Sequence, residues 1–167
     1  MDILSPIDEY GGLKYHSFGG VAPLLPILQI GINPHSKENM VATNLVHDLL
    51  SGTAYITTDY DGSCYPAFSF KSFYFGCSLN TVAVNGLLPT QCVVTIKGYL
   101  KGIQVAVQEF VFDPFSHDGS QNVTRADPEL GQCKPSFSRV DKVEFTTDND
   151  LLTALLVDNI EYDLQTC

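Results

Sequence analysis

The stretch FSFKSFYFGC, residues 68–77, decides the fold that we predict for this chain. Successive side chains of a β-strand point to opposite faces, so the aromatic residues of this stretch fall into two rows. One face carries Phe68, Phe70, Ser72 and Tyr74, and the other carries Ser69, Lys71, Phe73 and Phe75. Because both faces hold rings, we interpret one as part of the core and the other as the wall of a partly buried concavity.

Six further segments have the composition of short strands bounded by turn residues. They are GGLKYHSF (11–18), GTAYITTD (52–59), CVVTIKGYL (92–100), IQVAVQEFVF (103–112), VDKVEFTT (140–147) and LLTALLVDNIEYD (151–163). Seven or more strands of this kind predict an all-β fold, an antiparallel jelly-roll β-sandwich. Gly102 tolerates a positive φ, which favours a tight hairpin between Tyr99 and Ile103.

The remaining segments are predicted to be loops, with at most one short helix. ENMVATNLVHDLLSG (38–52) has apolar residues at helical spacing and ends on Gly52, although a strand followed by a loop would also fit it. Residues 19–36 carry three prolines, and residues 113–136 are rich in Gly, Pro, Ser and Asp. We expect both to be long loops, which in a compact domain are often functional.

Length and charge narrow the possible partners. The 167 residues suit a single domain, 1–167, and the 44% hydrophobic and 17% charged residues suit a folded globular protein. Nine Lys and Arg stand against nineteen Asp and Glu, which gives a net charge of -10. Such a surface repels phosphate, so we expect neither nucleic acid nor an anionic membrane as a partner.

Cysteine content and a sequon favour the secretory pathway. Asn122 begins the glycosylation sequon NVT. Five cysteines are many for this length, and their odd number leaves at least one thiol free or paired between chains: Cys64, Cys77, Cys92, Cys133 and Cys167. The N-terminus lacks the features of a signal peptide, so we expect Met1 to stand in place of a removed signal. The alternative is a cytosolic protein with buried thiols and a chance sequon.

Strand facing also predicts a polar surface. In residues 92–100, Thr95, Lys97 and Tyr99 lie opposite Val94 and Ile96. In residues 103–112, the glutamines at 104 and 108 lie opposite the valines at 105 and 107. One sheet would then present lysine, tyrosine, threonine and glutamine on a single surface beside the ring-lined wall. The alternative is an ordinary solvent-facing sheet with stabilising aromatic pairs.

Three segments carry a resemblance to known proteins: residues 10–18, 68–112 and 143–163. They resemble a group of uncharacterised secreted fungal proteins that is itself similar to galactose-binding-like jelly rolls. The resemblance implies a disulfide between Cys77 and Cys92. It also implies a structural Ca²⁺ ion with Asp158 as one ligand and Asp2, or a carboxylate near it, as another, since calcium prefers carboxylate and carbonyl oxygens. From the sequence alone, Asp158 fits a turn carboxylate equally well.

A second resemblance concerns function. The chain lacks the GxSxG, HExxH and phosphate-loop motifs, and it is similar in character to the fungal hetero-Diels-Alderases of tropolone sesquiterpenoid pathways. Those enzymes join a quinone methide to a terpene such as humulene. Such a reaction requires no cofactor, only orientation and a donor to a carbonyl. The expected catalytic residues are Lys71, Lys97, Tyr99 and His16, and the expected substrate contacts are Tyr60, Tyr65, Phe73 and Phe75.

Two other interpretations stay open. A secreted carbohydrate-binding module or lectin would stack sugars on exposed rings, for which the candidates are Tyr55, Tyr60, Tyr65 and Tyr99. The absence of tryptophan, the largest ring, counts against this interpretation. A secreted interaction protein without a ligand pocket is the third possibility.

Overall fold

The computed structural model describes residues 5–21, 29–30, 32–36, 40–43, 52–79, 86–115, 122–128, 136–148 and 153–166. These residues form fourteen strands and no helix, and so none that could span a bilayer. The strands are β1 (Ser5–Pro6), β2 (Glu9–Tyr10), β3 (Leu13–His16), β4 (Gly19–Val21), β5 (Gln29–Ile30), β6 (Met40–Thr43), β7 (Ala54–Thr57), β8 (Ala67–Leu79), β9 (Gly86–Pro89), β10 (Cys92–Leu100), β11 (Ile103–Phe112), β12 (Thr124–Ala126), β13 (Lys142–Thr147) and β14 (Thr153–Gln165).

The predicted all-β antiparallel sandwich is confirmed. One sheet has the order β1-β4-β6-β14-β8-β9-β5, with β12 also paired to β8, and the other has the order β11-β10-β13-β7-β3-β2. All described strand pairs are antiparallel except β5 with β9. We call them the eight-stranded and the six-stranded sheet.

Each of the seven segments predicted to be strands contains one: β3, β7, β8, β10, β11, β13 and β14. The helical prediction is wrong at residues 40–43, which form β6, while residues 44–51 lie outside the described part. The two predicted loops contain β4, β5 and β12. These strands are two or three residues long, too short to show a period in sequence.

The tight hairpin at Gly102 is confirmed. Leu100 pairs with Ile103, and both turn residues, Lys101 and Gly102, have a positive φ. This is the backbone that a two-residue type I′ turn requires.

Aromatic residues fill the space between the two sheets. Phe70 and Phe73 of β8 are fully buried, and their ring centroids lie 5.9 Å and 5.6 Å from that of Phe145 on β13. Phe75 contacts Phe112 of β11 at 6.2 Å. Burying one phenylalanine contributes about 1.5–3 kcal/mol, so this cluster is a main source of stability.

Strand β8 does not alternate throughout, because it contains a β-bulge. Phe70 pairs with Tyr162, and Ser72 pairs with Glu161, so Lys71 lies between them without a partner position on β14. An extra residue of this kind reverses which side chains point to a given face.

The reversal corrects the predicted wall. Phe73 and Phe75 were expected to share a face with Lys71, and this prediction is wrong. Both rings are fully buried on the same side as Phe68 and Phe70, inside the sandwich. The predicted concavity beside Lys71 is therefore not formed by these phenylalanines.

The disulfide implied by the resemblance is confirmed. Cys77 of β8 and Cys92 of β10 are bonded, with their Cα atoms 6.2 Å apart. Because β8 and β10 belong to different sheets, the bond crosslinks the sandwich through its core. Cys64 is exposed in the connection between β7 and β8, and Cys133 and Cys167 lie outside the described residues.

Candidate functional site

The four expected catalytic residues lie on two opposite surfaces. Lys71 projects from the outer face of the eight-stranded sheet, where its ammonium group lies 2.5 Å from the Asp163 carboxylate. This hydrogen bond raises the pKa of Lys71. Lys97, Tyr99 and His16 project from the outer face of the six-stranded sheet. The prediction of a single site that includes Lys71 is therefore wrong.

One of the two glutamines of β11 also differs from expectation. Gln104 pairs with Tyr99 on the outer face, as expected, but Gln108 does not lie there. Gln108 pairs with the buried Ile96, so it lies on the core side of its strand. Val107 pairs with Lys97 instead and is 56% exposed. The register shift after Gly98 accounts for part of this difference, because it changes the phase of β11 along its length.

On the outer face of the six-stranded sheet, four side chains form what we call the aromatic ladder: His16, Tyr55, Lys142 and Tyr99. The His16 and Tyr55 rings stack at 4.5 Å with an angle of 7° between their planes. The Lys142 ammonium group lies 5.5 Å from the Tyr55 ring centroid and 4.4 Å from that of Tyr99. Since β7 lies between β3 and β13, His16 and Lys142 cover the two faces of Tyr55.

Glu144 connects two side chains of the ladder by hydrogen bonds. Its carboxylate accepts hydrogen bonds from the Tyr99 hydroxyl and the Lys142 ammonium group, each at 2.8 Å. Partial burial opposes ionisation of Glu144, but these two bonds outweigh it and lower its pKa. Desolvation and the bond to Glu144 raise the pKa of Tyr99. Tyr99, Lys142 and Glu144 therefore form a hydrogen-bonded polar network on this face.

A cleft of about 690 Å³ lies elsewhere, at the N-terminal end of the described chain. The segment from Pro6 to Tyr10 forms one wall, and β6 and the middle of β14 form another. Tyr15, Met40 and Val157 also line it, and these three belong to the buried core. The volume is within the range of small-molecule sites, which is about 300–1,000 Å³.

A second irregularity shapes this cleft. Between Asp158 and Glu161, β14 has one residue more than β8, and Asn159 adopts a positive φ of 45°. The Asp158 carboxylate accepts hydrogen bonds from the Ser36 amide and hydroxyl, at 2.8 Å and 2.5 Å. It accepts a third from the Asn159 amide at 2.8 Å. These bonds hold Ser36 at the rim of the cleft.

His35 reinforces this contact from the outer face. Its ring stacks on Tyr74 at 3.9 Å, and its Nδ1 atom lies 2.8 Å from the Asn159 side-chain nitrogen. Residues 35 and 36 are thus held against β8 and β14 at once.

The expected calcium site at Asp158 stays a prediction. The described contacts of the Asp158 carboxylate are three hydrogen bonds from N–H and O–H donors. Within the described part of the chain, no three His, Cys, Asp or Glu residues are grouped to hold a metal. Asp2 lies outside the described residues. Among the described residues, Asp158 is a carboxylate that fixes the backbone of Ser36 and Asn159.

Tyr15 is the most unusual side chain of the cleft. It is only 8% exposed, and its hydroxyl makes no hydrogen bond to any described residue. Burial, followed by the proximity of Tyr162 and Tyr10, raises its pKa strongly. The phenol therefore stays protonated, and it can donate to a ligand oxygen from a largely apolar wall.

The other predicted contacts are dispersed. Tyr60 and Tyr65 lie in the connection between β7 and β8, outside the cleft lining. Tyr65 lies close to Gly12 in the turn between β2 and β3. Asn122 is exposed, and its side-chain oxygen accepts a hydrogen bond from the Asn33 amide at 3.3 Å.

Sequence reasoning missed the residues that build the cleft. The sequence places Tyr15 within a predicted strand and marks neither Tyr10 nor Tyr162 as a candidate. Their common signal is that all three are tyrosines on strands close to acidic residues, in the segments IDEYGGLKY and NIEYD. That signal is too general to identify a site without the fold.

Comparisons with known proteins bear on the fold alone. No family model matches the sequence, and no curated protein matches it. The structure is similar to the crystal structure of a DUF4465 family protein from Bacteroides caccae, with a TM-score of 0.57 and 10% sequence identity. The similarity covers 98% of this chain and 86% of that one. At this identity the likeness supports the β-sandwich and carries nothing about activity.

Proposed function

We propose that the protein binds a largely apolar small molecule in the cleft and catalyses an intermolecular hetero-Diels-Alder cycloaddition there. The substrates we infer are a tropolone quinone methide and a terpene such as humulene. The observation that carries the proposal is the Tyr15 side chain, which is 8% exposed and whose hydroxyl bonds no described residue, in a cleft of about 690 Å³. The resemblance to fungal hetero-Diels-Alderases supplies the reaction type.

A cycloaddition requires the protein only to hold the two reactants together and to supply a hydrogen-bond donor. One C–C and one C–O bond form while two π bonds are consumed, so no electrons or protons leave the reactants. The quinone methide oxygen gains negative charge as the bonds form, and a donor aimed at it lowers the barrier. Holding two reactants together can supply roughly 7–11 kcal/mol more. The cleft would provide the enclosure, and Tyr15 the donor.

This proposal revises the expected roles. His16 and Tyr99 belong to the aromatic ladder, and Lys97 lies on the same outer face. Lys71 lies on the opposite outer face. In the proposed mechanism none of them contacts the substrate.

The Tyr15→Phe variant tests the mechanism. It keeps the ring and removes the donor, so we expect the enzymatic rate to fall by about a hundredfold, the effect of losing one such donor. Tyr99→Phe is the matched control, since it removes a hydroxyl from the ladder and should leave the rate unchanged. Product formation and stereochemistry would be compared with the reaction without protein. A loss of rate in Tyr99→Phe but not in Tyr15→Phe would contradict the assignment to the cleft.

Carbohydrate binding remains the second candidate, and it would use the aromatic ladder. Three rings and Glu144 in one row on a half-exposed sheet favour it. The covered faces of Tyr55 weigh against it, because sugars stack on ring faces. Binding on a glycan array that is lost in Tyr99→Ala but kept in Tyr15→Phe would favour this candidate over the cycloaddition.

We also propose that the protein follows the secretory pathway. The Cys77–Cys92 disulfide suits an oxidising compartment, and the Asn122 side chain is exposed for glycosylation. Expression in a secreting fungal host should yield a protein whose mass drops on deglycosylation, and Asn122→Gln should abolish that drop. An unglycosylated protein retained in the cell would contradict both points.

A further inference from the structure

We infer that the cleft selects for positive charge on an otherwise apolar ligand or transition state. The inference rests on the proposed function only in taking the cleft as the ligand site. Three carboxylates line it, from Asp8, Glu9 and Asp158, while no described lysine or arginine does. The net charge of -10 adds to the same potential.

The aromatic rings that line the cleft also favour a positively charged ligand. Tyr10, Tyr15 and Tyr162 all line it, and the face of a tyrosine ring attracts a cation. Each such contact is worth about two- to fivefold in affinity at an exposed site, and more where water is excluded. Tyr10 is 73% exposed, so its ring is accessible to a ligand at the mouth of the cleft. Tyr15 is only 8% exposed, and it contributes its ring and hydroxyl to the same lining.

The three carboxylates differ in how strongly they are compensated. Asp8 lies 3.4 Å from the Lys14 ammonium group, which offsets part of its charge. Asp158 is surrounded by the hydrogen-bond donors of Ser36 and Asn159. Glu9 forms no ion pair with any described residue and is exposed. Glu9 should therefore contribute most to selection, and Lys14 should oppose it.

Charge selection also fits the cycloaddition. The alkene donates electron density to the quinone methide, so positive charge develops on an alkene carbon as the first bond forms. Tyrosine faces and carboxylates near that carbon would stabilise it, while the Tyr15 hydroxyl stabilises the oxygen.

The direct test uses three probes of similar shape and different charge. These are benzyltrimethylammonium, its neutral isostere neopentylbenzene, and the anion benzylsulfonate, each titrated into the whole chain by NMR. We expect the ammonium probe to bind about tenfold more tightly than the neutral one, and the sulfonate more weakly than both. The preference should shrink in high salt, because exposed charges are screened.

Variants with opposite expected signs sharpen the test. Glu9→Gln should weaken binding of the ammonium probe about two- to fivefold, and Lys14→Gln should strengthen it, since it releases the Asp8 charge. Glu109→Gln is the matched control: Glu109 is exposed on β11 of the six-stranded sheet, away from the cleft lining, and this change should have no effect.

The outcomes separate this inference from the proposed function. Equal binding of all three probes, or tighter binding of the sulfonate, would overturn charge selection and leave a cleft that binds apolar ligands. If Tyr15→Phe abolishes cycloaddition but Glu9→Gln and Lys14→Gln leave the ammonium affinity unchanged, only charge selection fails. If no probe and no terpene substrate binds, both proposals fail.

Discussion

Burial determines what Tyr15 can do. Desolvation raises its pKa above the ordinary value of 10.0, which means that the phenol is neutral over the usual working range. A neutral phenol donates a hydrogen bond, and it does not serve as a base. The Tyr15-dependent rate should therefore show no titration between pH 6 and about pH 10, the ordinary tyrosine value. A decline with an apparent pKa in that window, absent in Tyr15→Phe, would show that the hydroxyl ionises and acts otherwise.

The pKa of Glu144 is lowered, whereas that of Tyr15 is raised, and this predicts how stability depends on pH. Its folded-state pKa lies below the ordinary value of 4.5, so its stabilising effect is complete above that value. The effect is lost as pH falls through the lower, folded-state pKa. Glu144→Gln should therefore lower Tm at pH 6, and the difference from the unaltered protein should shrink as pH approaches 3. Thermal melts across this range would measure it, and a constant difference would contradict the argument.

For single residues, the sequence predicts the sheet face on which a side chain lies better than it predicts the side chains that it contacts. Lys97 and Tyr99 were placed correctly on the outer face of their strand, because β10 alternates without interruption through Tyr99 and the extra residue at the register shift lies in β11. Their partners Lys142 and Glu144 lie on β13, more than forty residues later in the chain. Cross-strand pairs depend on strand order and register, and neither can be read from local composition.

The bulge in β8 predicts how this strand responds to the deletion of a single residue. Deleting Lys71 would leave Phe70 and Ser72 facing Tyr162 and Glu161 in regular alternation, so every phenylalanine would keep its face. We expect this deletion variant to fold, with a modest loss of stability. Deleting Tyr74 instead would place one of its buried neighbours on the outer face, at a cost of about 1.5–3 kcal/mol for each ring exposed.

The two deletions would be compared by soluble yield and urea denaturation. Lys71→Ala is the control, since it removes the Asp163 contact while keeping the bulge. If the Lys71 deletion is as damaging as the Tyr74 deletion, the bulge does not determine which side chains of β8 face the core.

A sign of this bulge was present in the sequence. In FSFKSFYF the polar residues Lys71 and Ser72 are adjacent, and this breaks the alternation between Phe70 and Phe73. If one extra residue is allowed between Phe70 and Phe73, all four phenylalanines of this stretch fall on one face. The extra residue of β14, between Asp158 and Glu161, leaves no comparable break of alternation in the sequence, because Asn159 and Ile160 follow a long apolar run. The cleft depends on that irregularity, so it could not be predicted.

At the scale of the whole molecule, the cleft exists because the chain changes sheets. β1 pairs in the eight-stranded sheet and β2 in the six-stranded sheet, so residues 6–10 cross from one to the other. The crossing leaves space against β6 and β14, and that space is the cleft. Two-residue strands carry almost no sequence signal, which is why the sandwich was predictable and its ligand site was not.

The disulfide should stabilise the molecule by joining the two sheets. Cys77 and Cys92 are separated by 15 residues, for which chain entropy predicts about 3 kcal/mol. The double variant Cys77→Ala and Cys92→Ala should therefore lower Tm by about 6–12 °C in a chain of this size. A loss of packing at these buried positions would also lower Tm, so the melts are repeated with a reductant. If the crosslink is responsible, reduction should bring the unaltered protein close to the variant; an undiminished difference would assign the effect to packing.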